Sequence, residues 1–189
     1  MSTNDKFRGK YRIISARLPE YDYEQNGYYY VTICTSKREE YFGSIIEGDI
    51  VPSAIGKIAH QYWQAISDHF PYVVTDEFVV MPNHVHGILI LERNANNAHS
   101  EMADKSALLP GSHKYKFGPQ SGNLASIIRG YKAGVTKYAR MHNIPFDWQP
   151  RFYDHIIRDE KSLSKIREYI RLNPKMWPRD RNNLENLYQ

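Results

Sequence analysis

Residues 72–81 and 84–91 form two apolar runs with only Pro82-Asn83 between them, so they read as neighbouring antiparallel strands. Everything else in the chain has to pack around that pair. Upstream, Gly27-Tyr28-Tyr29-Tyr30-Val31-Thr32-Ile33-Cys34-Thr35 is aromatic and β-branched behind an Asn-Gly break, a further strand. Residues 45–51 suggest a small hairpin turning at Gly48-Asp49. Ser53 can cap a helix over 54–69, with Ile55, Ile58, Ala59, Tyr62 and Ile66 on one stripe.

Residues 94–122 turn polar, rich in Asn, Ser, Gly and His, and read as a loop long enough to be functional or disordered. Helical spacing returns over 123–141, where Leu124, Ile127, Ile128, Tyr131, Val135 and Tyr138 share a face. Residues 148–158 read as a fourth core strand. The segment 160–172 is helical through Leu163, Ile166 and Ile170, and Asn173-Pro174 closes it. The expected architecture is therefore α+β: a ferredoxin-like sandwich with a central antiparallel sheet and helices packed mainly on one face. One domain accounts for residues 1–189, with a core over about 10–178 and a polar, peripheral tail beyond Trp177.

Composition excludes several function classes. Cys34 is the only cysteine, so an internal disulfide and a thiolate zinc cage are ruled out. No apolar run approaches bilayer length, and the first residues lack the apolar core of a secretory signal, so a soluble intracellular protein is expected. Twenty-five basic against 21 acidic residues give a net charge of +4, which permits nucleic-acid binding without requiring it.

The densest chemistry lies in Met81-Pro82-Asn83-His84-Val85-His86. Side chains two apart on a strand share a face, so His84 and His86 project together while Val85 points into the core. Such a pair suits a metal ion. With 8 histidines in 189 positions, composition alone supplies about a third of such a pair, so the spacing is weak evidence by itself. Tyr169 and Asn173 lie one turn apart beside the apolar stripe of the last helix. Tyr169 could equally be a packing aromatic and Asn173 a helix C-cap before Pro174.

In Trp148-Gln149-Pro150-Arg151-Phe152-Tyr153-Asp154-His155, His155 could be a third imidazole, a partner behind one, or structural. Arg151 could meet phosphate or pair with Asp154. Arg129, Lys132, Lys137 and Arg140 crowd one face of the 123–141 helix without a carboxylate, either a solvated surface or a phosphate-tracking stripe.

Four blocks carry a resemblance: Phe78-Val79-Val80-Met81-Pro82-Asn83-His84-Val85-His86-Gly87; Tyr29-Tyr30-Val31-Thr32-Ile33-Cys34; the run from Trp148 to Arg158; and Arg167-Glu168-Tyr169-Ile170-Arg171-Leu172-Asn173-Pro174. In that family order they closely resemble the single-tyrosine HUH transposases, and within them the REP-associated tyrosine transposases of bacteria. The resemblance implies that His84, His86 and Asn173 hold Mg²⁺ or Mn²⁺ and that Tyr169 is the nucleophile. It further implies attack on a phosphodiester in single-stranded DNA, with a 5′-phosphotyrosine link and a free 3′-hydroxyl. No nucleotide-binding loop is needed for such chemistry, and none is found.

The implied partner is single-stranded or hairpin DNA, met by a monomer or homodimer in the bacterial cytoplasm with no membrane involved. Candidate DNA contacts are the basic arm containing Arg12 and Arg17, the residues Arg129, Lys132 and Lys137, the pair Arg151 and His155, and the 113–117 loop with Tyr115 and Phe117. The competing expectation is a domesticated relative that holds hairpin nucleic acid without transposing it. A histidine-triad hydrolase would want a third alternating histidine where Ile88 stands.

Overall fold

The computed structural model describes residues 22–93, 122–180 and 182–183. The chain runs β1 (Gly27–Cys34), β2 (Gly43–Ile46), β3 (Asp49–Pro52), α1 (Ala54–Gln64), α2 (Ile66–His69), β4 (Val73–Met81), β5 (His84–Leu91), α3 (Leu124–Met141), β6 (Tyr153–Ile157) and α4 (Glu160–Met176). Four strands form an antiparallel sheet in the order β4-β5-β1-β6, and β2-β3 is a separate hairpin. This is the α+β arrangement the sequence implies.

The helices begin where polar side chains can accept the first orphan N–H groups. Ser53, Asn123 and Asp159 accept from Gly56, Ser126 and Ser162 at the starts of α1, α3 and α4. The expected 54–69 helix is divided at Ala65 into α1 and α2. The small hairpin turns at Glu47-Gly48, one residue earlier than expected. Both residues have positive φ, at 53° and 86°, a conformation that matches the twist of the flanking strands.

Alternation along the strands supplies two cores. On one face Tyr29, Val31, Ile33, Val85, Leu89 and Leu91 meet Ile55, Ala59 and Trp63 of α1 and Leu124, Ile127 and Val135 of α3. On the other, Met81, Ile88, Ile90 and Ile157 meet Leu163 and Ile170 of α4, with Trp177 beyond it. Two of the three long helices thus share a face as expected, and α4 stands alone on the second. Gly87 allows the close contact between β5 and α1, because a Cβ there would overlap the Trp63 ring.

Two expectations at the C-terminal end are corrected. Asn173 and Pro174 do not close the last helix; α4 continues to Met176 with Pro174 inside it, and a 3-10 turn follows over Trp177–Arg179. Proline forfeits one backbone hydrogen bond there, and the burial of Trp177 in the second core compensates for that loss. Nor is the following segment peripheral: Asp180, Asn182 and Asn183 are buried, and Asn182 contributes its carbonyl to Asn83. Among the described residues no helix is long and apolar enough to cross a membrane.

Candidate active site

The second face of the sheet gathers the functional candidates under α4. His84 and His86 are 0% and 1% exposed, with ring centroids 4.3 Å apart. For His84 the neighbours fix which ring nitrogen is the acceptor. Asn83 Nδ2 donates to the carbonyls of Arg38 (3.0 Å) and Asn182 (2.8 Å), so the oxygen of that amide faces His84 Nδ1 at 2.8 Å. An amide oxygen only accepts. His84 therefore carries its proton on Nδ1 and offers the Nε2 lone pair to a cation. His86 Nδ1 faces two hydroxyls, Tyr30 at 2.7 Å and Thr32 at 2.9 Å, which turns its Nε2 outward as well.

α4 brings the remaining groups. Tyr169, Asn173 and Trp177 recur every four residues and so share one helical stripe. At one end the Tyr169 hydroxyl lies 3.4 Å from His86 Nε2, and at the other the Trp177 ring lies 6.0 Å from that of His84. Asn173, midway along the stripe, is 1% exposed, and its Oδ1 is buried with no hydrogen-bond donor among the described residues. A buried amide oxygen in that state is costly unless something positive meets it. The ligand atoms of His84, His86 and Asp180 lie within 4.8 Å of one another. Asp180 had no sequence signal beyond its acidity, because only the compact 3-10 turn after α4 returns it to the histidines.

Two imidazoles and a carboxylate gathered this closely could hold a metal ion. Tyr169 is different in kind: it is 45% exposed, so its hydroxyl borders the buried cluster while its ring faces solvent. A reacting group at that position is accessible to a large substrate.

The other expected residues are dispersed. Arg129 and Lys137 are exposed on α3, beside a groove of about 640 Å³ that Arg140 and Arg151 also line. Lys132 is different. Its ammonium donates to the carbonyls of Gln149 (2.7 Å) and Arg151 (3.2 Å) and sits 5.5 Å from the Trp148 ring centroid, and burial pulls its pKa down. It ties α3 to the segment before β6. Arg151 is exposed in a left-handed conformation, with φ 68°. His155 is exposed on β6 opposite Tyr30; the group around His84 and His86 has Asp180 where a third imidazole was open. Arg12, Arg17 and residues 113–117 lie outside the described residues. Asn83, Thr32 and Tyr30, which orient the histidines, were in plain view in the sequence blocks, but no spacing rule marks them.

No family model matches the chain. A Haemophilus influenzae protein of uncharacterised function is 41% identical over 168 residues, covering 88% of this chain and 90% of its own. A second Haemophilus influenzae protein, provisionally named a REP-associated tyrosine transposase, is 29% identical over 153 residues, covering 81% and 73%. A REP-associated tyrosine transposase solved with a REP hairpin shares the fold, with a TM-score of 0.52 and 19% identity over 84% of this chain and 73% of that one. The chain is thus similar in sequence to one provisionally named REP-associated tyrosine transposase and shares the fold of another.

Proposed function

We propose that the protein cleaves and rejoins single-stranded DNA beside a hairpin, with Tyr169 as nucleophile and His84, His86, Asn173 and Asp180 as cation ligands. The observation that carries this reading is the Tyr169 hydroxyl 3.4 Å from His86 Nε2, at the rim of a buried, oriented histidine pair. A phenol with an ordinary pKa near 10 is a poor nucleophile at neutral pH, so it needs its proton removed or its target made more electrophilic. A divalent cation supplies the second effect by drawing charge from the phosphate oxygens.

The chain's own residues do the rest. Asn83 holds the His84 imidazole in the ligating tautomer, and Thr32 and Tyr30 fix the orientation of the His86 ring. α4 presents the phenolic oxygen beside His86 Nε2. In the chemical step the Tyr169 oxygen forms a bond to phosphorus, the bond from phosphorus to the 3′ oxygen breaks, and that oxygen takes a proton to become a 3′-hydroxyl. The phenolic proton leaves to solvent. Attack by a 3′-hydroxyl reverses the sequence, so the bond energy is conserved and no nucleotide is consumed. Exposed cations on α3, together with Arg151, would hold the DNA backbone, and the named structural relative supports a hairpin as the substrate.

The test is an SDS-resistant adduct formed by the protein, a labelled hairpin with single-stranded flanks, and Mn²⁺. Adduct with the native chain and none with Tyr169→Phe supports the assignment. Adduct persisting in that variant moves the nucleophile to another tyrosine.

A further inference from the structure

Sheet register places a second exposed tyrosine beside the candidate nucleophile. Tyr153 of β6 pairs with Thr32 of β1, which pairs with His86 of β5, so the three side chains form one row on the α4 face of the sheet. Tyr30, in the next row, is the hub of the group. Its ring stacks on His86 at 5.5 Å and meets Tyr169 and Tyr153 edge-on, each at 6.4 Å. Tyr153 is 46% exposed, much like Tyr169, so about half of its ring is not used in the core. Among the described residues β6 is the last strand of the sheet, and no further strand pairs with its outer side. A cleft of about 410 Å³ runs along that edge, lined by Tyr153, His155, Arg158 and Tyr23 and also by the carboxylates Asp154 and Asp159.

We propose that Tyr153 is a stacking platform for the unpaired nucleobase next to the scissile phosphate, with the strand continuing along the β6 edge past His155 and Arg158. The proposal rests on the reading of the site as one for single-stranded DNA. It adds where the flanking base goes. A phosphate held at the histidine pair leaves its adjoining base within reach of the neighbouring row, and every base has a face that a phenol ring can stack on. A stacking surface tolerates any base, so Tyr153 contributes affinity and placement rather than sequence choice. Its hydroxyl is not needed for that task, which separates it from Tyr169.

The experiment measures equilibrium binding of a fluorescein-labelled oligothymidylate in EDTA, where cleavage cannot interfere, and of an abasic strand of equal length. Tyr153→Ala and Tyr153→Leu are expected to weaken oligothymidylate binding roughly 5- to 100-fold, the range for loss of one stacked base, while Tyr153→Phe stays within about twofold. The abasic strand should bind the native protein and Tyr153→Ala alike. The slope of affinity against salt should be the same in all variants, because no cation is removed. Unchanged binding by Tyr153→Ala and Tyr153→Leu overturns the platform and leaves the single-strand reading standing. Equal losses in Tyr153→Phe and Tyr153→Ala, or equal losses on the abasic strand, also overturn it. A native protein that does not bind the oligothymidylate removes both.

Discussion

Asn83 shows how much a single side chain can decide. Its amide is locked by two carbonyl acceptors, one of them from residue 182, and through its oxygen it sets the tautomer of His84. Partners of this kind typically change metal affinity 10- to 100-fold when removed. Asn83→Ala is therefore expected to weaken Mn²⁺ binding by about that factor in a calorimetric titration, with both histidines still in place; native-like affinity would deny the amide that role. The histidine pair was legible from the sequence because strand alternation forces it. The amide was not, since its partners lie 45 and 99 positions away. Asp180 was hidden for the same reason.

At the scale of elements, α4 is held where it stands by a bulge in its neighbour. Register along β4 and β5 shifts between Thr75 and Phe78, one residue more on β4 than on β5, and Asp76 and Glu77 occupy the extra length. Regular pleating would send adjacent side chains to opposite faces. Here both reach α4: Asp76 accepts from Arg167 at 2.7 and 2.8 Å, and Glu77 from Arg171 at 2.7 Å. Arg167 and Arg171 are one turn apart and bracket Tyr169, so the two pairs resist rotation of the helix. Solvent screening limits their direct worth. A double-mutant cycle on Asp76→Ala and Arg167→Ala is expected to give a coupling of about 0.5–1 kcal/mol in denaturant unfolding, with adduct formation falling more than DNA binding. A coupling near zero would remove the clamp. The helix itself was readable from Leu163, Ile166 and Ile170. Its true end was not, because Pro174 reads as a stop and only the burial of Trp177 carries the chain past it.

For the whole molecule, the sheet separates two tasks. One face buries α1 and α3 in the larger core, and the other presents the histidines to α4. The element order made this α+β plan legible, whereas the lone position of α4 depended on which stripe each strand offered. The exposed cations of α3 belong to the groove shared with Arg151 and Phe152. Changing Arg129, Lys137 and Arg140 together to Gln should lower the salt slope of single-strand binding by up to about 2, at roughly 0.7 for each phosphate that is no longer neutralised. Lys132→Gln should act mainly on stability, since that ammonium is already tied to two carbonyls. An unchanged slope in the triple variant would take α3 out of the interface.

The most direct measurement is to digest the DNA-linked protein with trypsin and identify the nucleotide-bearing peptide by mass spectrometry. Cleavage after Arg167 and Arg171 isolates Glu168-Tyr169-Ile170-Arg171, and the expected mass carries the oligonucleotide on that peptide alone. The same adduct on the fragment containing Tyr153, or on any other tyrosine, would contradict the assignment of Tyr169 and with it the mechanism built on α4.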